Sequence, residues 1–435
     1  MADGPPFPPR RAGSPRGPGG RPDRGGGWTG SEFEVTVGPV AHGGHCVARH
    51  EGRVVFVRHA LPGERVVVRV TEDRQPGFCR ADAVRVLDAS PDRVQRPCPY
   101  SGPGRCGGCD WQHVDPAAQR RLKAAVVHEQ LSRLAGLDVD VEVAELPGGP
   151  LRWRSRARFA VDRSGAAGLR RHRSHDLEVL DDCPITLETA ATAVLGRRWP
   201  GAGAVDVSVD ATGAVTTTRL DRRGHPTSTR VLRPGGDVPQ EPAVRAERRA
   251  GGRDWEVEGT GFWQVHPAAA DALVGAVEAF AAVRPGESVL DLYAGAGLFG
   301  GALAPSVGTD GRVVCVEADP GACAAAEANL AGLPQAEVWQ GEVDADGLTG
   351  LLAELGAAPD VVVLDPPRAG AGPAVSRVLA GAGPRAVVYV ACDPASLARD
   401  VAAFGSAGYR LEALRGFDAF PMTHHVECVA LLVPA

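Results

Sequence analysis

From Ser31 to Val94, apolar and polar residues alternate over short stretches. Phe33–Val37, Cys46–His50, Val54–Val57, Arg65–Val70 and Ala81–Leu87 read as strands, with Gly43-Gly44, Glu51-Gly52 and Pro62-Gly63 marking the turns. So many short strands in about sixty residues predict a small barrel of the OB type, a fold that often binds nucleic acid. Residues 95–255 form a middle region with a cysteine cluster and several strand-like stretches. A helical apolar spacing runs there from Pro116 to Leu134, and the Pro/Gly/Arg-rich segment Pro234–Gly252 reads as a loop. From Glu256 onward the pattern becomes α/β. Helices are predicted at Asp271–Val283, Leu298–Ala304, Gly321–Leu330 and Pro394–Phe404, and buried strands at Ser288–Leu292, Arg312–Glu317, Val361–Asp365 and Ala386–Ala391. This alternation implies a doubly wound, Rossmann-like parallel sheet. Tyr409–Arg415 and Val426–Val433 follow without a helix between them, so an antiparallel hairpin should close the sheet. Residues 1–30, rich in Pro, Gly and Arg, cannot bury a core and read as a disordered basic tail. The expected domains are therefore 1–30, 31–94, 95–255 and 256–435.

Composition adds little to this outline but removes some function classes. A chain of 435 residues with 44% hydrophobic content has room for several domains and at least one large core. No apolar run approaches the roughly 18 residues of a spanning helix, and no secretion signal is visible, so the expectation is a cytoplasmic protein with no membrane partner. The net charge of −6 gives no global support for a polyanionic partner. Any RNA contact must come from local patches. Ten cysteines without a secretion signal argue for thiols or metal ligands over disulfides. Nothing in the sequence implies an oligomer.

The chemistry is concentrated in the last third. Ser288-Val-Leu-Asp-Leu-Tyr-Ala-Gly-Ala-Gly-Leu-Phe-Gly300 is a strand entering a glycine loop and then a helix, with Glu317 ending the next strand. Gly295 and Gly297 let the backbone turn tightly beside a ligand, and a carboxylate at Glu317 can accept from both ribose hydroxyls. These features suit NAD as well as S-adenosylmethionine, so a dehydrogenase stays open at this point. Further on, Asp365-Pro-Pro-Arg368 leaves an apolar strand at the end of the sheet where ligands bind. Cys392 ends the neighbouring strand, directly before Asp393-Pro394, a helix N-cap followed by proline. A cysteine there should have its thiolate favoured by the helix dipole, with Asp393 opposing.

Asp365-Pro-Pro-Arg-Ala-Gly370 and Val387-Val-Tyr-Val-Ala-Cys-Asp-Pro-Ala-Ser396 together resemble the signature of the RNA uracil-5-methyltransferase family. The likeness extends to Phe262-Trp-Gln-Val-His266 and Phe420-Pro-Met-Thr-His-His-Val-Glu427 and covers roughly residues 31–435. Ala391, Asp393 and Ser396 stand where the family usually has Ser, Asn and Thr; His266 and Leu298 stand where members usually or often place Asn. The resemblance implies S-adenosylmethionine as methyl donor, Cys392 as nucleophile toward carbon 6 of uracil, and Glu427 as the base that clears the proton from carbon 5. It further implies that Gln264, Tyr293, Glu317 and Asp365 hold the cofactor, with Asp344 near its adenine.

Cys98, Cys106 and Cys109, with the remote Cys183, have a ligand set that suits zinc or an iron–sulfur cluster. Three close cysteines and one distant suggest a cubane more than paired zinc knuckles, and the resemblance implies a [4Fe-4S] cluster. Arg152, Arg154, Arg156 and Arg158 alternate along an expected strand and so should share a face. With Arg163, Arg170, Arg171 and Arg173 they form a stripe able to neutralise phosphates. The segment 31–94 resembles the TRAM domain of RNA-modifying enzymes. With barrel and cysteines together, the resemblance implies ribosomal RNA as substrate over transfer RNA. A catalytically inactive RNA-binding iron–sulfur protein is the reading from a different class.

Overall fold

The computed structural model describes residues 27–233, 236–238, 245–259 and 261–435. Nearly all of the basic tail expected at 1–30 lies outside the described residues. Strands Glu32–Thr36, Cys46–His50, Arg53–Arg58, Arg65–Gln75 and Phe78–Asp88 build one sheet, in the spatial order first, fourth, fifth, third, second. The two end strands also touch, so the sheet curls on itself. Val35, Val55, Val57, Val66, Val68 and Val70 fill its interior, while Arg65 and Arg69 of the same strand face water. Valine fits a pleated, half-buried surface, and the period of two puts one set of side chains inside.

A second, seven-stranded antiparallel sheet spans Arg156 to Val238. Helix Glu188–Val194 covers it, packing Ala190 and Val194 with Phe159, Val205 and Val207. A separate hairpin pairs Arg245–Ala250 with Arg253–Glu258, so the second half of the expected loop Pro234–Gly252 is strand. Its buried positions are Ala246, Arg248 and Ala250, whose small or charged side chains hide the alternation; Gly251-Gly252, both at positive φ, supply the turn.

The last sheet has eight strands. From one edge these are Ala336–Gln340, Arg312–Glu317, Ser288–Leu292, Val361–Leu364, Ala386–Ala391, Glu427–Pro434, Tyr409–Asp418 and Val143–Glu145. The first five are mutually parallel, and Glu427–Pro434 runs antiparallel beside them. Helices Ala269–Ala281 and Leu298–Val307 cover one face, and Pro116–Ala135, Pro373–Ala382 and Pro394–Ser406 the other. Hence residues 116–145, expected in the middle region, pack with this sheet. Helices Ala345–Leu355 and Pro373–Ala382 and strand Ala336–Gln340 add to the expected order; Gly347, Gly350 and Gly381 weaken the helical signal there. Among the described residues no helix is long and apolar enough to cross a membrane.

Candidate active site

A cavity of about 1000 Å³ opens where strands Ser288–Leu292 and Val361–Leu364 end, the point at which the strand order reverses. Open α/β sheets bind ligands at this place. Two carboxylates brace its glycine loop. Buried Asp291 accepts from the Gly300 N–H at 2.7 Å, and burial pushes its pKa up to about 7. Glu317 accepts from Gly295 N–H and from the N–H groups of Ala318 and Asp319, each at 2.9 Å. Gly295 has φ +56 and no atom within 4 Å of where a Cβ would stand, so its backbone faces open space. Gly300 serves packing instead: a Cβ there would lie 2.2 Å from Cys315 Sγ. Gln264, Tyr293, Gly295, Glu317 and Asp365 all line the cavity. Gly297 and Asp344 are not among its lining residues. Gly297 caps helix Leu298–Val307, and Asp344 is the N-cap of Ala345–Leu355, accepting from Gly347 N–H at 2.8 Å.

Cys392 and Glu427 line the same cavity. Their meeting follows from register: Ala391 pairs with Cys428 across antiparallel strands, so Cys392, one residue on, faces Glu427, one residue back. Glu427 is 3% exposed, and burial beside Asp365 raises its pKa well above the usual carboxylate range, with Arg368 opposing. Burial raises Asp365 as well. The Cys392 thiol is pushed up to about 12, first by burial, then by Glu427 and Asp365, with Arg368 pulling down and Asp393 adding to the rise. This corrects the expectation of a thiolate favoured by the helix. Cys392 stands one residue outside the N-cap, and the helix N–H that could have helped, that of Ser396, donates to Asp393 Oδ1 at 2.8 Å. Burial outweighs the helix, and the carboxylates add to it.

The far wall of the cavity comes from other parts of the chain: Gly107, Gly108 and Asp110 from the cysteine loop, Trp153 and His172 from the middle region, and His424 and His425. His424 Nδ1 binds Asp110 Oδ2 at 2.6 Å. Cys98, Cys106, Cys109 and Cys183 are free thiols close enough for Cys183 to raise the pKa of each of the other three. Among the described residues, no three His, Cys, Asp or Glu side chains converge closely enough to hold a single ion.

The arginine stripe is only partly as expected. Arg152 has φ +57, which turns it off the strand, and it forks onto Asp182 at 2.8 and 2.7 Å. Arg154, Arg156 and Arg158 do share a cleft of about 220 Å³, with Phe262 at its edge, 72% exposed and common to both cavities. Arg158 is paired with Asp206, Arg171 with Glu178, and Arg173 with Glu72. Sequence reasoning gave no role to Asp291, Arg368, Asp110 or His172. Asp291 and Arg368 had a readable signal, one being the carboxylate before the glycine loop and the other the cation closing Asp-Pro-Pro-Arg. Asp110 and His172 reach the cavity through long-range packing.

Residues 29–84 match the model of the TRAM domain, and residues 352–434 that described as tRNA (Uracil-5-)-methyltransferase. An uncharacterized RNA methyltransferase of Streptomyces coelicolor is 50% identical, covering 93% of each chain. The 23S rRNA (uracil(1939)-C(5))-methyltransferase RlmD of Shewanella amazonensis is 34% identical, covering 92% of this chain and 95% of its own. In fold, the chain is similar to the Pyrococcus abyssi tRNA (uracil-54, C5)-methyltransferase solved with S-adenosyl-L-homocysteine. That likeness has a TM-score of 0.68 and 24% identity, and covers 92% of this chain and 100% of the other. With relatives of this identity along nearly its whole length, and a Rossmann-like sheet carrying the matched motifs, the chain belongs to the S-adenosylmethionine-dependent RNA uracil-5-methyltransferases.

Proposed function

We propose that this enzyme methylates carbon 5 of a uridine in 23S ribosomal RNA through a covalent adduct with Cys392. The observation that carries the covalent reading is the joint presence of Cys392, Glu427, Asp365 and the glycine loop on one cavity. The loop's open backbone at Gly295, the Glu317 carboxylate and the cavity's size suit a nucleoside cofactor. Gln264, Tyr293, Gly295, Glu317 and Asp365 would hold it, and bound there it supplies an electrophilic methyl group. Cys392 gives its proton to solvent, and the thiolate attacks carbon 6 of the uracil. The S–C6 bond forms, the C5=C6 pair moves toward O4, and carbon 5 becomes nucleophilic. After methylation Glu427 takes the carbon 5 proton, and the S–C6 bond breaks. A desolvated carboxylate with a raised pKa is a stronger base for that task. The target base must leave its stack to reach Cys392, which suits looped RNA, and the cleft of Arg154, Arg156 and Arg158 would take flanking phosphates.

Ribosomal over transfer RNA is supported by the relative RlmD and by the TRAM match combined with the four cysteines. We assign Cys98, Cys106, Cys109 and Cys183 to a [4Fe-4S] cluster with a structural role. The four free thiols lie near one another, which suits a shared multi-iron group. Mapping 5-methyluridine in ribosomal and transfer RNA from a strain lacking the gene tests the substrate. Loss from 23S RNA alone is expected; loss from transfer RNA alone would overturn the ribosomal reading.

A further inference from the structure

The turn between the first two strands of the N-terminal sheet, Ala41–His45, reaches across the molecule to the catalytic cavity. His42 Nε2 lies 2.8 Å from Asp393 Oδ2, although 351 positions separate them in sequence. Two further contacts hold the turn in place. Trp111 Nε1 donates to Gly44 O at 3.1 Å, and Gly44, at φ +78, packs so closely on His424 that a Cβ would lie 2.6 Å from its side chain. A side chain at position 44 would therefore push the turn away from the site.

The partner of His42 is the residue that follows Cys392. Asp393 caps helix Pro394–Ser406 through its Oδ1, which leaves Oδ2 for His42. Its charge sits beside the sulfur that must become an anion, next to a cavity already containing Asp365 and Glu427. A like charge so near opposes thiolate formation. An imidazolium on Asp393 offsets that charge, and the two-sided grip on the carboxylate fixes the chain from which Cys392 projects.

We propose that His42 is a positioning residue for methyl transfer: carried by the N-terminal sheet, it neutralises and orients Asp393, so that Cys392 is presented to the base with one less opposing charge. The inference rests on the uracil reading above. The groups facing His42 are Asp393, and Glu129 and Arg133 from helix Pro116–Ala135. The hydrogen bond to Asp393 dominates; burial and Arg133 oppose the charged ring, the charges of Asp393 and Glu129 favour it, and its pKa is raised. The ring thus carries its charge below that raised pKa and loses it above.

The test uses the full-length protein with S-adenosylmethionine and total bacterial RNA containing 5-fluorouridine. After methylation, fluorine remains where a proton would leave, so the Cys392 adduct cannot eliminate and its rate of appearance can be followed. His42→Gln should slow adduct formation about tenfold at pH values below the His42 titration, with cofactor affinity unchanged. That defect should shrink as the pH rises, because the wild-type ring then loses its charge too. Asp393→Asn keeps a good N-cap and removes the charge; in that background His42→Gln should cost about twofold or less. A defect equal at every pH and equal in both backgrounds would show that His42 only braces the fold, and would overturn the inference. An unchanged rate in His42→Gln overturns it also. Absence of any adduct with the wild-type chain overturns the uracil reading itself, and this inference with it.

Discussion

At the scale of single residues, the site is a balance of carboxylates around one sulfur. Burial, Glu427 and Asp365 push the Cys392 thiol up to about 12, so it is neutral near pH 7 and becomes thiolate only as pH rises. Alkylation of Cys392 by iodoacetamide, read on its own peptide by mass spectrometry, should therefore climb from about pH 7 to about pH 10 without a plateau. A plateau by about pH 8 would mean that an activated thiolate already exists without substrate. Glu427→Gln should permit attack and methyl transfer but block loss of the carbon 5 proton. The expected result is a denaturation-resistant protein–RNA band carrying labelled methyl. Full-speed turnover by that variant would move the base to another group. Burial holds the neighbouring His425 down at about 3, so its ring is neutral at working pH.

Between elements, one long-range pair was invisible in the sequence. Lys123, the only lysine of the chain, is fully buried in helix Pro116–Ala135 and binds Asp418 Oδ1, while donating to Phe420 O at 3.0 Å. The pair ties this helix to the segment that carries Phe420, His424 and His425 into the cavity. Asp418→Ala would leave an unpaired ammonium inside and should cost about 3–5 kcal/mol, read as a lower urea midpoint. A loss below about 1 kcal/mol would show that water or another group takes its place. The local elements were more legible. Strand ends at Leu292, Leu364 and Ala391 could be read from apolar runs that stop at Gly, Pro or Asp, and so the glycine loop, Asp365 and Cys392 were placed correctly relative to the sheet. Asp344 carried a weaker signal, because a carboxylate before a helix reads alike whether it caps or binds. The hairpin at Arg245–Ala250 was missed because alanine and arginine at its buried positions carry no hydrophobic signal.

On the scale of the whole molecule, the cysteine loop, the middle region and the last sheet wall one cavity, and this was beyond the reach of pattern reading. Which loop of the N-terminal sheet meets which helix depends on packing between parts distant in sequence, as the contact of His42 with Asp393 shows. Protein purified without air should contain about four iron atoms per chain; stoichiometric zinc would refute the cluster. Arg154→Ala with Arg156→Ala should weaken RNA binding and flatten its dependence on salt, since fewer counterions are then released. Unchanged affinity would make the cleft a solvated face.

The central claim, a uracil methylated through Cys392, is tested most directly by following labelled methyl from S-adenosylmethionine into RNA. With the wild-type protein, nuclease digestion should release the label as 5-methyluridine. Cys392→Ala should transfer none while binding the cofactor as tightly as before, because the sulfur acts on the base and not on the methyl donor. Label recovered in a different nucleoside, or transfer by Cys392→Ala at the wild-type rate, would contradict the account.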